Sequence, residues 1–513
     1  MSELGALWAG IGLLSDWPVI LMMILGLLFG IITGAIPGFS TPLAISVMLP
    51  VTFGMESLQA IVFLTCIYAG GNFGSSISAI LINIPGSPQA IVTGLDGYPM
   101  TRQGRGSEAL GVAVSASAVG NLIGAIFLIL ILPLLVQFAL SFGPPELFLV
   151  GVIGLTIIAS LHKSFLKAAV AGLFGVLIGT VGMTDTGAVR GTWGFYELLD
   201  GVPLIPALIG LIGFSELFVM LQRSYVVQDD LDNAGGEKSR SLSQLLSGFV
   251  KTFRHPISLL RASTIGVIIG GLPGAGATVA SVVSYNEGRR YSKRSANFGK
   301  GEPEGVINSE AANNASEGGA LALLLSLGIP GGLATAVLIG GFMLQGLVPG
   351  PRLFMDNPAL MYGVMSAQIF ASFMLLFFGL LVSFYAAKII RVPNMVLIPL
   401  IALFSIIGTY AVKLLMFDVY IMLVFAVIGI VLRKFDYPLI AVILGLILGP
   451  ILDSQLMRTF QGAGGLSSSI FLERPLSLLL LGILILSLVP LTVRLVKDYY
   501  RRKSAGTREN AAS

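Results

Sequence analysis

Residues 308–353, NSEAANNASEGGALALLLSLGIPGGLATAVLIGGFMLQGLVPGPRL, decide the fold. The stretch is apolar over most of its length, yet it is cut at Gly328-Ile329-Pro330-Gly331-Gly332. Pro330 has no N–H, and its ring pushes Ile329 out of the helical region. The apolar pieces on either side, 319–327 and 333–348, are each shorter than the ~20 residues of a bilayer-spanning helix. They read as two half-helices meeting at a Pro-Gly break. Broken backbone persists in a membrane only where protein or a water-filled cavity satisfies it. Transporters build their substrate sites at such places.

Composition supports the membrane reading. Of 513 residues, 55% are hydrophobic and 11% charged, with mean hydropathy +0.91; a soluble domain carries ~25% charged residues. The apolar runs are long and continuous, without the ~10-residue alternation of an outer-membrane barrel, so the spans are helices. Cys66 is the one cysteine, which excludes an intrachain disulfide. His162 and His255 make no metal-ligand spacing, and no phosphate loop of the G-x4-G-K-[ST] type occurs. No catalytic residue, cofactor, structural metal or nucleic-acid partner is expected. The N-terminus has neither a basic region nor a small-residue cleavage site, so a removable signal peptide is not expected.

Charge distribution sets orientation. No Lys or Arg precedes Arg102, whereas Arg494, Lys497, Arg501, Arg502 and Lys503 crowd the C-terminal tail. The positive-inside rule then puts the C-terminus in the cytoplasm and the N-terminus outside. Opposite ends on opposite sides imply an odd number of spans.

Moving outward from Pro330, three more breaks appear: Ile36-Pro37-Gly38, Ile84-Pro85-Gly86 and Leu272-Pro273-Gly274. Pro37 answers to Pro273 and Pro85 to Pro330 at similar offsets, which reads as an internal duplication. Asp185 with Arg190 and Asp453 with Arg458 read as a third matched landmark. The first Pro-Gly element has no nearby cation and its counterpart lies between basic segments, which reads as inversion. The expectation is an all-α polytopic integral membrane protein with about a dozen transmembrane helices, two inverted repeats and Pro-Gly-broken helices. Residues 1–222 form the first repeat and 223–261 a polar connection with an amphipathic helix near 242–254. Residues 262–493 form the second repeat and 494–513 a basic cytoplasmic tail. Whether 262–284 crosses or dips in and returns stays open.

The chemistry expected at the breaks is that of half-helix ends. Free N–H groups and a positive dipole end bind carboxylates. Each break is followed by a hydroxyl: Ser40 and Thr41, Ser87, Thr278, Thr335. With Asn83, Pro85, Gly86, Asn313, Pro330 and Gly331 these form the expected substrate site; glycine leaves the backbone bare for a ligand. Asn72, Ser75, Glu310 and Asn314 are the expected cation ligands, since hard oxygen donors suit Na⁺. A packing kink explains any one break as well; two matched pairs favour a site. For Glu310 and Glu317 a place in a wet interfacial loop fits equally. The Asp/Arg pairs read as helix-end pairs or as gating ion pairs.

Several long runs carry a resemblance: YAGGNFGSSISAILINIPGSPQAIVTGLDGYPMTRQGRGSEAL, GGLPGAGATVASVVSYN, FGKGEPEGVINSEAANNASEGGAL and LGIPGG with GLVPGPRLF. Together they resemble the large membrane subunit of the tripartite tricarboxylate transporters (TctA-like) over nearly the whole chain. The resemblance implies a small TctB-like membrane subunit and a periplasmic TctC-like binding protein as partners. It also implies inward movement of citrate-like or related carboxylates in the bacterial inner membrane, coupled to Na⁺ or H⁺. One departure is local: Asn308-Ser309-Glu310 stands where the family has Ala-Pro-Glu, which bears on backbone shape and substrate choice. The competing readings are a channel or pore for small anions and an intramembrane enzyme. Duplication within one chain argues against the first, and the lack of a histidine inside an apolar run argues against the second.

Overall fold

The computed structural model describes residues 3–184, 186–222, 241–389, 394–462 and 470–488. Asp185, most of the polar connection and the basic C-terminal tail lie outside the described residues. The fold is all-α; the strands among the described residues are β1 (Gly182–Met183) and β2 (Val189–Arg190), paired antiparallel. The first sequence half supplies α1 (Glu3–Leu13), α2 (Trp17–Gly34), α3 (Thr41–Met48), α4 (Ser57–Ile82) and α5 (Ile91–Arg102). It continues with α6 (Gly106–Leu140), α7 (Pro144–Leu161), α8 (Phe165–Gly179) and α9 (Leu204–Leu221). The second half supplies α10 (Leu242–Thr252), α11 (Pro256–Gly270), α12 (Gly276–Tyr291), α13 (Pro303–Leu327) and α14 (Leu333–Leu344). After these come α15 (Pro358–Ile389), α16 (Asn394–Lys413), α17 (Met416–Lys434), α18 (Leu439–Gly462) and α19 (Pro475–Leu488).

Local chemistry places many of these boundaries. Proline occupies the first turn of α2, α3, α7, α11 and α13, where its missing N–H would have had no helical partner. All four Pro-Gly breaks separate helices: α2 from α3, α4 from α5, α11 from α12 and α13 from α14. Two of them open with the same cap. Asn83 and Gly328 take left-handed backbone (φ 57° and 71°) and donate to the carbonyls of Ala79 and Leu324. After the first of these turns the chain doubles back over residues 83–90, Gln89 reaching Asn72 (3.1 Å); α5 then runs alongside α4 in the same direction, and its Thr101 hydroxyl donates to the Ile80 carbonyl at 2.7 Å.

Eight described helices are long and apolar enough to cross a membrane: α2, α4, α6, α7, α9, α15, α17 and α18. α13 is not among them, because Asn308, Ser309, Glu310, Asn313, Asn314, Ser316 and Glu317 make it too polar. Every one of those side chains is nonetheless buried. Polar groups at such depth face protein rather than lipid.

The same helix packing occurs twice. Gly30 and Gly34 of α2 lie against the carbonyls of Ile67 and Gly71 on α4; Gly266 and Gly270 of α11 lie against those of Ala312 and Ser316 on α13. Gly10 of α1 meets the Ala359 carbonyl of α15, and Gly248 of α10 meets the Glu108 carbonyl of α6. Gly210 of α9 meets the Met422 carbonyl of α17, and Gly445 of α18 meets the Gly172 carbonyl of α8. Small residues permit this closeness, and dispersion between near backbones replaces a hydrophobic driving force that lipid cannot supply.

The chain forms two compact units that cut across the sequence halves. One comprises Met1–Ala139 with Pro203–Leu432, the other Leu140–Val202 with Arg433–Ser513. In the second unit α7 and α8 of the first half pack on α18 of the second. There the buried Glu146 accepts from Gly143 N (2.8 Å), Ser477 Oγ (2.6 Å) and Arg474 Nε (2.8 Å).

Two sequence expectations change. α10 forms where an amphipathic helix was expected, but α11 starts at Pro256, inside the expected connection. The Asp/Arg landmarks are not equivalent positions: Arg190 follows α8 on β2, whereas Asp453 lies within α18, and Arg190 pairs with Asp453.

Candidate functional site

The expected site residues separate into two pairs of breaks. In the first half the Ser87 hydroxyl accepts from the N–H of Thr41 (3.2 Å), so the start of α3 and the Pro85 turn are neighbours. Ser87, Gly86 and Thr41 are buried, Ser40 and Pro85 half-buried, and Asn83 exposed. Gly86 N donates to the Ser75 carbonyl (3.2 Å), while the Ser75 hydroxyl donates to the Asn72 carbonyl (2.8 Å). In the second half Thr335 Oγ1 accepts from Gly332 N (3.0 Å) and closes the first turn of α14. Pro330, Gly331 and Thr335 are buried, but Thr278 is exposed.

The turn glycines face backbone. A Cβ on Gly86 would strike the Gly34 carbonyl and Ser75; one on Gly331 would strike the Gly270 carbonyl and Ala320. The space they keep open admits the C-terminal ends of α2 at Gly34 and of α11 at Gly270.

The halves are bridged by a polar cluster on α13 that sequence reasoning found only in part. Glu310 is fully buried and held by three hydroxyls: Ser76 of α4, Thr93 of α5 and Ser117 of α6, the last at 2.8 Å. Thr93 also lies 3.0 Å from the Ser309 hydroxyl. α13 runs unbroken through Asn308-Ser309-Glu310, and Ser309 adds its hydroxyl to the cluster. Asn313 Nδ2 donates to the Asn72 carbonyl (3.3 Å), and Asn314 Nδ2 to the Glu310 carbonyl (3.1 Å). Gln89 Nε2 donates to Asn72 Oδ1 (3.1 Å). The interfacial-loop reading of Glu310 and Glu317 is overturned, since both side chains are buried within α13.

Thr93, Ser117 and Gln89 were missed because single hydroxyls and amides in helices carry no motif. Asp96 was missed as well. Its Oδ1 accepts from the N–H groups of Gly299 (2.8 Å), Gly301 (2.9 Å) and Glu302 (2.9 Å), and its Oδ2 from the Tyr285 hydroxyl (2.8 Å). One carboxylate thus ties α5 to α12 and to the loop that starts α13. Glycine-rich GKG at 299–301 next to an acidic cap was the available signal.

Beyond that loop lies a basic cavity of about 440 Å³, lined by Arg105, Lys251, Arg254, Arg294 and Lys300 among others. Arg105 and Lys251 pair with Glu108, each at 2.7 Å.

Among the described residues no group of His, Cys, Asp and Glu is arranged to hold a metal. The acceptor-rich interior of α13 instead suits a lone cation or a proton.

The model of the tripartite tricarboxylate transporter TctA family matches residues 20–444. An uncharacterized 52.8 kDa protein in the TAR-I ttuC' 3'region of Agrobacterium vitis is 34% identical over 479 residues, 92% of this chain and 93% of the relative. A second uncharacterized protein, in the TAR-II ttuC' 3'region of the same organism, is 35% identical over 237 residues, 45% of this chain and 97% of that relative. No solved structure matches. The long polar α13, the paired Pro-Gly turns and the family match over most of the chain lead to one assignment: the chain belongs to the tripartite tricarboxylate transporter TctA family, a family of large membrane subunits of transporters.

Proposed function

We propose that the chain is the large transmembrane subunit of a binding-protein-dependent secondary transporter. It imports citrate-like tricarboxylates or related carboxylates across the bacterial inner membrane, coupled to Na⁺ or H⁺, by alternating access. The carrying observation is the doubled arrangement of broken helices, Gly86 seated on the Gly34 carbonyl and Gly331 on that of Gly270. Paired discontinuous helices from two repeats are the plan on which such transporters build a midplane site. The substrate-binding groups are the start of α3 with Ser40 and Thr41, the Pro85 turn with Asn83, Gly86 and Ser87, and the Pro330 turn with Gly331 and Thr335. Thr278 and Asn313 complete the set.

Opposite topology of the halves is supported by charge at equivalent corners. The linkers before α6, α11 and α13 carry Arg105, Arg254, Lys293, Arg294 and Lys300, with Glu302. The equivalent linkers before α15, α2 and α4 carry Arg352 and Asp356, then Asp16, then Glu56. One corner carries five Lys or Arg and its counterpart one, the bias that the positive-inside rule expects of two halves facing opposite ways. The basic corner and the C-terminus are then cytoplasmic and the N-terminus periplasmic.

Capture of dilute substrate falls to a periplasmic binding protein, with a small membrane subunit as the third component. The test is flux in proteoliposomes with each component omitted in turn. Cation-driven carboxylate accumulation only with all three present is expected. Passive, saturation-free anion flux through this chain alone overturns the proposal in favour of a pore.

A further inference from the structure

α13 carries three buried glutamates, and the protein treats them unequally. Glu304 accepts from Ser258 (2.5 Å) and from Ser292. Glu310 accepts from three hydroxyls. Glu317 is 1% exposed, and among the described residues no donor reaches either of its carboxylate oxygens. One turn earlier on the same helix, the side-chain oxygens of Asn313 and Asn314 are also buried without a donor. Spacings of three and four residues put these groups beside Glu317 on one helical face. The turn therefore presents four acceptor oxygens that no donor among the described residues meets.

A buried carboxylate with neither a counter-charge nor a hydrogen-bond donor is not tolerated; it takes a proton or gathers a cation. Among the described residues no Lys or Arg pairs with Glu317. The titratable groups in electrostatic reach are Cys66 and Tyr68 of α4, both uncharged near neutrality at their ordinary values. The neighbouring glycines, Gly318 and Gly319, pack against Gly124 of α6 and Val267 of α11, which bring no charge. We infer that Glu317, with the amide oxygens of Asn313 and Asn314, holds the monovalent cation, Na⁺ or a proton, whose binding drives transport. The word transport rests on the function proposed above; the cation site does not. Among the expected cation ligands this keeps Asn314 and puts Glu317 in place of Glu310, which is already occupied by hydroxyls. Along α13 the Pro330 break begins about 15 Å further on at 1.5 Å per residue, so neutralising Glu317 removes a negative charge that faces an incoming carboxylate.

Two measurements on the purified full-length chain test the site. The first is ²²Na⁺ binding with Na⁺ alone, for the native chain, Glu317→Gln and the hydroxyl-held control Glu304→Gln. The second is carbodiimide modification of Glu317 in the native chain, read by peptide mass spectrometry across pH with and without Na⁺. For a Na⁺ site, Na⁺ protects Glu317, and Glu317→Gln weakens Na⁺ binding about tenfold or more while Glu304→Gln does not. For a proton site, Na⁺ has no effect, modification declines as pH rises, and Glu317→Gln abolishes proton-driven accumulation but keeps substrate exchange. Glu317 modification that neither Na⁺ nor pH alters, or none under any condition, overturns the inference even if Glu317→Gln fails to fold. Protection of Glu317 in a complex that moves no carboxylate would instead sink the transport reading and leave the cation site standing.

Discussion

Glu310 and Glu317 sit two turns apart on α13, and their surroundings assign them different work. The hydroxyls of Ser76, Thr93 and Ser117 converge on Glu310 from three helices, so its first duty is to clasp α4, α5 and α6 to α13. Ser117→Ala is expected to lower stability by about 1.5–3 kcal/mol, the range for a hydrogen bond to a charged partner. A double-mutant cycle with Glu310→Gln, read by thermal unfolding in detergent, checks it; additive effects would mean the contact carries no energy. At the turns, Gly86 and Gly331 touch the Gly34 and Gly270 carbonyls. Even Gly331→Ala should therefore cost about 1–3 kcal/mol through overpacking. An unchanged melting temperature would free this glycine for ligand contact alone.

The helices gain their positions through small residues and through single polar ties. Asp96 is the tie between α5, α12 and the loop entering α13. Asp96→Asn removes the charge that three backbone N–H groups share. It should release residues 299–302, seen as faster amide exchange there, with α4 and α2 unaffected. Unaltered exchange over 299–302 would show the loop to be held by other contacts. The same scale explains α13 itself. A helix with seven buried polar positions between Asn308 and Glu317 folds only because α4, α5, α6 and α11 enclose it and keep lipid away.

At the scale of the molecule, two inverted halves should expose equivalent corners on opposite sides of the membrane. In a Cys66→Ala background, which removes the buried native thiol, Phe53→Cys and Lys293→Cys provide the probes. An impermeant maleimide is expected to label Phe53→Cys from the periplasm and Lys293→Cys only after the membrane is opened. Labelling of both from one side would contradict inversion. The basic cavity lined by Arg105, Arg254 and Lys300 then faces the cytoplasm, consistent with the orientation inferred from the Lys- and Arg-free first hundred residues.

What the sequence by itself determined is what local chemistry controls. Proline without an N–H fixed the four helix breaks, continuous apolar runs fixed the spans, and long shared motifs fixed the family. Pairing of Pro37 with Pro273 and of Pro85 with Pro330 was legible because each motif is contiguous. What only the tertiary structure decided depends on residues far apart in the chain. That α8 packs on α18, so that the compact units cut across the halves, rests on glycine-to-carbonyl contacts such as Gly445 with Gly172. That Arg190 answers Asp453 was hidden by a closer Asp. That Glu310 is satisfied while Glu317 is not could not be read from two identical side chains on one helix. The difference lies in which hydroxyls other helices bring to each, and a buried carboxylate's role follows from the donors it meets.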